Sequence, residues 1–97
     1  MLLFEILVPE RIVISGQAKL VVLPGEEGDL GILEKHAPLM TLLRPGVVHI
    51  YSETENTSLP SSQQFFVSGG FANINNNICS ILADEAHFVE PSTEKTL

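Results

Sequence analysis

Residues Val22 to Pro45 read VLPGEEGDLGILEKHAPLMTLLRP, and this stretch decides the fold. Glycine adopts positive φ angles at little cost, and proline fixes φ while lacking a backbone donor, so both residues mark turns. Apolar residues lie between these turns, at Leu30, Ile32 and Leu33 and then from Leu39 to Leu43. The stretch therefore predicts an ordered, turn-dense segment and not a flexible linker. Its turn-forming residues are Gly25, Gly28, Gly31, Pro24, Pro38 and Pro45.

A helix is not expected in this stretch or elsewhere. Pro38 interrupts the one window, Leu30 to Leu43, in which a helix could be considered. Nowhere do apolar residues recur at helical spacing over about ten residues or more. Most other segments are short and apolar, and several alternate with the period of two that is typical of strands. The expected strands are Leu2 to Val8, Arg11 to Ile14, Gln17 to Leu23, Gly46 to Tyr51, Phe65 to Ser68, Phe71 to Ile74 and Ile78 to Ala83.

The connections between these strands complete the fold prediction. Ser15-Gly16 and Asn75 to Asn77 are read as turns, and the polar run Ser52 to Gln64 is read as a hairpin loop. With 97 residues, the chain is expected to form one domain. Eight to ten short strands without a helix predict an all-β fold, either a β-sandwich or a barrel. The segment Pro91 to Leu97 is a polar tail.

Composition excludes several classes of function. Twelve acidic residues against five basic ones give a net charge of −7. Nucleic-acid phosphates and anionic lipid headgroups both require basic side chains, so neither is an expected partner. The single cysteine, Cys79, excludes an internal disulfide and lies in an apolar run, where it is expected to act as a small buried hydrophobe. The first residues predict a strand and neither a signal nor a transit peptide.

No constellation in the chain supports catalysis, a cofactor or a metal. The spacing Gly25-x-x-Gly28-x-x-Gly31 does not match a dinucleotide fingerprint or a phosphate loop. The histidines, His36, His49 and His87, lack partners at metal-ligand spacing. Ser68-Gly69-Gly70 is not a nucleophile elbow, and the adjacent Asp84 and Glu85 would point apart on a strand.

An acidic turn is the best surface candidate that the residues themselves offer. Glu26, Glu27 and Asp29 place three carboxylates within four residues. Such a turn could bind a basic loop of a partner protein, or it could be an ordinary solvated turn. Composition leaves both interpretations open.

Longer motifs resemble one family. The run Leu23 to Gly46, with its LPGEEGDLGIL and HAPL segments, resembles the epsilon subunit of F-type ATP synthase. Val8-Pro9-Glu10-Arg11 followed by Ser15-Gly16 resembles the first hairpin of that family, and Phe66 to Phe71 and Leu82 to Ala86 resemble later segments in the same order. The resemblance covers about residues 2–87. It implies a ten-stranded β-sandwich over residues 1–87, with 88–97 as a polar tail.

The resemblance also implies a function and two contact surfaces. Members of the family are non-catalytic rotor subunits that bind the gamma subunit and the membrane ring of c subunits, coupling proton flow to ATP synthesis. The positions matching the ring-facing loop are Glu26, Glu27, Gly28, Asp29, Leu30 and Gly31, and those matching the gamma-facing positions are Val8, His36 and Thr41. Basic side chains in the c-subunit loops would give the acidic turn its partner. Such a subunit would lie peripherally at the cytoplasmic face of a bacterial inner membrane, held there only through the complex.

One departure limits the resemblance. Family members usually continue into a two-helix C-terminal domain that can inhibit ATP hydrolysis and binds ATP in some members. This sequence stops at Leu97, so we expect no C-terminal helical hairpin, helical inhibition or ATP binding from this chain. The alternative function is a free-standing β-sandwich adaptor with soluble partners. An enzyme would need a pocket with a strongly perturbed titratable group.

Overall fold

A computed structural model of the chain describes residues 2–52 and 61–89, with the side chains of residues 61 and 62 excepted. These residues form ten β-strands and no helix, which confirms the all-β prediction. No helix in the described residues therefore has the length and apolarity needed to cross a membrane. The strands are β1 (Leu2–Val8), β2 (Arg11–Ala18), β3 (Leu20–Gly25), β4 (Gly28–Leu33), β5 (Leu39–Leu43), β6 (Gly46–Ser52), β7 (Ser61–Val67), β8 (Gly70–Asn75), β9 (Ile78–Leu82) and β10 (Ala86–Val89).

The strands form two halves of one folded sheet. One half contains β10, β7, β6 and β3 in that order, with β4 paired to β3. The other half runs β5, β8, β9, β1, β2. The halves meet where β3 pairs with β5 through Gly25 and Leu43. Pairing is antiparallel throughout, except between β1 and β9.

The core lies between the two halves and is apolar. Alternation along β1 buries Leu2, Phe4 and Ile6, as expected for a strand with one face toward a core. The opposite half contributes Val21, Leu23, Val48 and Ile50 from β3 and β6, so the sheet behaves as a sandwich. Other members of the buried cluster are Ala18, Ile32, Leu43, Phe65, Val67, Ala72, Ile74, Cys79, Ile81 and Ala83. No polar or charged side chain is buried among the described residues.

Several predicted boundaries were wrong. Ser15-Gly16 does not close a strand, because β2 continues through it to Ala18, and the break falls at Lys19, inside the expected Gln17 to Leu23 strand. The expected Ser52 to Gln64 loop is too long, since β7 begins at Ser61 and pairs with the end of β6. Residues 53–60 and the tail from Pro91 to Leu97 lie outside the described residues.

The asparagine turn joins β8 to β9 in the second half, and β10 forms the edge of the first half. Asn76 and Asn77 have positive φ angles of 54° and 63°, which confirms the predicted turn. Asn77 Oδ1 also accepts a 2.5 Å hydrogen bond from the backbone N–H of Lys35, which joins this turn to the β4–β5 loop. The last strand, β10, reaches Val89, two residues beyond the expected end of the sandwich.

Candidate protein-interaction surfaces

The first candidate surface is the acidic turn, residues 26–29, at the tip of the β3–β4 hairpin. Gly25 pairs with Gly28, so Glu26 and Glu27 occupy the two turn positions and both are exposed. Gly28 has a φ of +142°, which a residue with a Cβ adopts only under strain. Neither glutamate side chain has an ion pair or hydrogen bond to any residue in 2–52 or 61–89. These two carboxylates therefore face solvent.

Asp29 differs from the two glutamates because it has a partner within the chain. Arg44, which follows β5, donates from Nη2 to Asp29 Oδ1 over 2.6 Å and from Nη1 to the carbonyl of Gly25. The Asp29 side chain is 63% exposed and that of Arg44 is 43% exposed. A pair this exposed is screened by solvent and stabilises the fold weakly. Its geometric consequence is that one guanidinium group contacts both strands of the hairpin.

Backbone hydrogen bonds attach the acidic turn to β5. The N–H of Glu26 donates to the carbonyl of Leu42 over 3.0 Å, and the N–H of Arg44 donates to the carbonyl of Pro24 over 2.9 Å. The turn is therefore attached to β5 beside Leu42, at the junction of the two halves of the sheet. Leu30, the next residue along β4, is half-buried against the core, while Gly31 is exposed and lacks a positive φ.

The three positions that resemble gamma contacts lie on or beside the second half of the sheet but do not form one cluster. Val8 ends β1 and Thr41 lies in the middle of β5, with β8 and β9 between these strands. Three strand spacings separate the two strands by roughly 14 Å. His36 lies in the β4–β5 loop, where its Nδ1 is 2.7 Å from the carbonyl oxygen of Ala37. All three side chains are half-buried.

A second surface, which the sequence analysis missed, is an apolar row across the outer face of this half. Strand register places five apolar residues side by side, one from each strand. Ile12 and Leu42, at the two ends of the row, are 56% and 58% exposed. Met40, two residues before Leu42 on β5, is also exposed. The members of the apolar row, in order across the sheet, are Leu42, Phe71, Leu82, Leu7 and Ile12.

The apolar row is bordered by a polar one. Asn73, Ser80, Glu5 and Ser15 follow in register on neighbouring strands, and Ser80 Oγ donates to Glu5 Oε2 over 2.7 Å. In the apolar row, Leu42, Phe71 and Ile12 are exposed and the two members between them are half-buried. An apolar band of this kind with a polar border is typical of a protein-interaction surface. Single exposed apolar residues elsewhere, such as Leu33 on β4, carry no such implication.

No group of residues in the described ranges has the geometry of a metal site, and the one cysteine is buried. No cluster of three or more His, Cys, Asp and Glu side chains could hold a metal ion there. Cys79 is buried, as predicted, and burial raises the pKa of its thiol to about 12. A thiol with so high a pKa is a poor nucleophile. Asp84 and Glu85 lie in the bend between β9 and β10 and not on a strand.

Comparisons with known proteins agree with the fold. Residues 1–89 match the family described as ATP synthase, Delta/Epsilon chain, beta-sandwich domain. The ATP synthase epsilon chain of Parvibaculum lavamentivorans is 46% identical over 81 residues, which are 84% of this chain and 58% of that relative. The epsilon chain of Rhodospirillum centenum is 39% identical over 83 residues, which are 86% of this chain and 55% of the relative. This chain therefore matches little more than half the length of these relatives.

A solved structure supports the same architecture. A chain in the mitochondrial ATP synthase of Euglena gracilis, in an assembly described as OSCP/F1/c-ring, superposes with a TM-score of 0.74. It is 23% identical in sequence, and the superposition covers 88% of this chain and 51% of that one. Identity this low supports the fold only. The match to residues 1–89, together with relatives at 39% and 46% identity, shows that this chain belongs to the ATP synthase delta/epsilon chain β-sandwich family.

Proposed function

We propose that this chain is a non-catalytic rotor subunit in the central stalk of a proton-translocating F-type ATP synthase. In this role it binds the gamma subunit and the c-ring, and couples proton flow to ATP synthesis. The observation that carries the proposal is the family match over residues 1–89. The chain works through its surfaces, and the active sites belong to other subunits of the complex.

The acidic turn is the proposed contact with the c-ring. Glu26 and Glu27 offer two solvated carboxylates at a hairpin tip, which suits a partner loop carrying basic side chains. Glu26, Glu27, Gly28, Asp29, Leu30 and Gly31 together form this tip and the start of β4. Because solvent-exposed pairs are individually weak, the contact depends on several charges acting together.

The apolar row is the proposed contact with the gamma subunit. Covering it with protein removes apolar area from water, which is the main favourable term in association. Val8 directly follows Leu7 of the row and Thr41 directly precedes Leu42, so both lie on strands that form the row, with their side chains turned toward the opposite face of the sheet. His36, in the loop that leads into β5, extends the same proposed contact.

The proposed location follows from the partners. The two relatives described above are bacterial epsilon chains. A subunit held between gamma and the c-ring lies peripherally at the cytoplasmic face of the bacterial inner membrane. Its membrane association passes through the complex and needs no lipid contact of its own.

The test is co-purification followed by a coupling assay. A tagged chain expressed in its own host should retain gamma and c subunits after membrane solubilisation. The Glu26→Lys/Glu27→Lys variant should lower proton-driven ATP synthesis in inverted membrane vesicles, because like charges then face the ring. Gln63→Lys, at an exposed position of β7 outside both proposed surfaces, is the control for added positive charge. Retention of soluble partners without gamma would support an adaptor and refute the proposal.

A further inference from the structure

We infer that Arg44 is a positioning residue: its guanidinium binds Asp29 and the Gly25 carbonyl and so holds the acidic turn against the end of β5. We call this set of contacts the latch. Asp29 acts in the latch and does not bind the partner directly. The inference rests on the proposed function and assigns roles within its ring-facing surface. Three elements meet at the Arg44 guanidinium. Arg44 itself follows β5, Gly25 ends β3, and Asp29 is the second residue of β4.

The Arg44 guanidinium contacts two strands at once. Nη1 and Nη2 of one planar group donate to acceptors on two different strands, the Gly25 carbonyl and the Asp29 carboxylate. Arginine presents its donors in a rigid fork, whereas lysine carries a single ammonium point charge on a flexible stem. A guanidinium that reaches both strands restrains the twist of the hairpin tip relative to β5. A lysine at this position could reach one acceptor well, but not both in the same geometry.

The three carboxylates of the acidic turn differ in whether they have a cationic partner within the chain. Of the three carboxylates in the acidic turn, Asp29 is paired with Arg44 over 2.6 Å, so its charge is largely compensated within the chain. Glu26 and Glu27 have no such compensation from residues 2–52 and 61–89. The negative charge that the tip offers to a basic partner is therefore that of the two glutamates. This changes the role expected for Asp29 from the family resemblance, in which it faces the ring itself.

The acidic turn is also hydrogen-bonded to one end of the apolar row. The Glu26 N–H bonds the carbonyl of Leu42, and Leu42 is the terminal member of the apolar row. Arg44 lies two residues further along the chain. The latch and this hydrogen bond together fix the distance and orientation between the acidic turn and the apolar row. A subunit that transmits torque between two partners needs its two contact surfaces held in a fixed relation.

A charge swap tests the latch in the assembled ATP synthase. Asp29→Arg and Arg44→Asp each break the ion pair, while the double variant restores it with the charges exchanged and the net charge unchanged. We expect each single variant to lower proton-driven ATP synthesis in inverted vesicles by about two- to fivefold, the range that an exposed pair supports. The double variant should recover part of the lost rate, because it restores the ion pair but not the hydrogen bond to the Gly25 carbonyl. Arg44→Lys should fall between the wild type and Arg44→Asp.

The outcomes separate the latch from other roles. A double variant as impaired as Asp29→Arg would overturn the inference, because the charge of Asp29 would then act directly on the partner. Single variants with wild-type rates would overturn it as well. Melting temperatures of the single variants should stay close to the wild-type value, and a large fall in both would identify a stability role instead. Gln63→Lys, at an exposed position of β7 outside both proposed surfaces, adds a positive charge and should leave synthesis unchanged.

Failure of the proposed function has a different signature. If the wild-type chain does not retain gamma and c subunits, or if Glu26→Lys/Glu27→Lys supports full synthesis, the ring contact itself is wrong. Neither result depends on Asp29 or Arg44. The swap experiment is therefore interpreted in complexes whose content of the chain has been verified by immunoblot.

Discussion

Gly70 begins β8 at a point where no side chain fits. Its φ is +114°, a backbone conformation that residues with a Cβ rarely adopt. A Cβ built at Gly70 would lie 2.0 Å from the carbonyl oxygen of Leu82 and 3.0 Å from Cα of Ala83. Both neighbours are backbone atoms at the end of β9, so they cannot rotate out of the way as a side chain would. Gly70→Ala is therefore a sharp test of this strand junction.

The expected loss of stability has two parts. A non-glycine residue held in a sparsely populated backbone region costs about 1–3 kcal/mol, and overpacking against fixed neighbours costs about another 1–3 kcal/mol. In a domain of this size, a loss of 1 kcal/mol lowers the melting temperature by roughly 4–8 °C. We therefore expect Gly70→Ala to melt at least about 8 °C below the wild type, as measured by circular dichroism on the full chain. Urea titration would report the same change as a lower midpoint.

Gly31→Ala is the matched control. Gly31 lacks a positive φ, and a Cβ there would meet only Cδ1 of Leu20, at an ordinary contact distance of 3.5 Å. The same chemical change should then leave the melting temperature within a few degrees of the wild type, or raise it slightly by restricting the unfolded chain. The reasoning fails if Gly70→Ala melts within about 3 °C of the wild type, or if both variants lose equal stability.

Three further predictions concern the apolar row and Cys79. Leu42→Asp should weaken retention of gamma by the tagged chain roughly tenfold, since burying a leucine contributes about 1.5–3 kcal/mol. Leu33→Asp, on β4, should leave retention of gamma unchanged, and equal effects of the two variants would contradict the proposed role of the apolar row. Cys79 should react with iodoacetamide at pH 8 only after denaturation, because burial raises the pKa of its thiol to about 12. Since that pKa is raised from 9.0, the contribution of Cys79 to the free energy of unfolding is complete below pH 9 and declines between pH 9 and 12. In Cys79→Ala, the free energy of unfolding should decline less steeply between pH 9 and 12, and an unchanged decline would contradict the raised pKa of the thiol.

Local signals predicted the fold class, and the errors arose where long-range pairing overrode them. Ser15-Gly16 has the composition of a turn, yet β2 passes through it, because Gly16 pairs with Phe4 on β1. A Cβ at Gly16 would lie 3.4 Å from the Phe4 ring, so this position of β2 lies directly against an aromatic neighbour. The polar start of β7 likewise has the composition of a loop. Its backbone pairs with the end of β6 from Ser61↔Ser52 onward, and this pairing does not depend on apolar alternation.

The candidate surfaces differ in how far the sequence could predict them, because one is local and the other is not. The acidic turn is contiguous, so its three carboxylates were visible as a group. Its partner Arg44 is 15 residues from Asp29 and is brought there only by the β3–β5 junction. Nothing in the local sequence around Asp29 or Arg44 indicates that contact.

The apolar row depends on register across five strands, and one irregularity decides its last member. Residues Ile12, Val13 and Ile14 are all apolar, so alternation cannot tell which of them faces out. The register of β2 against β1 shifts between Ile6 and Leu7, so Ile14 pairs with Ile6 but Ile12 pairs with Leu7. Without this bulge, Leu7 would face Val13, which instead packs against the core. A one-residue slip turns a strand's side chains to the opposite face. The bulge therefore places Ile12 opposite Leu7 and adds it to the exposed row.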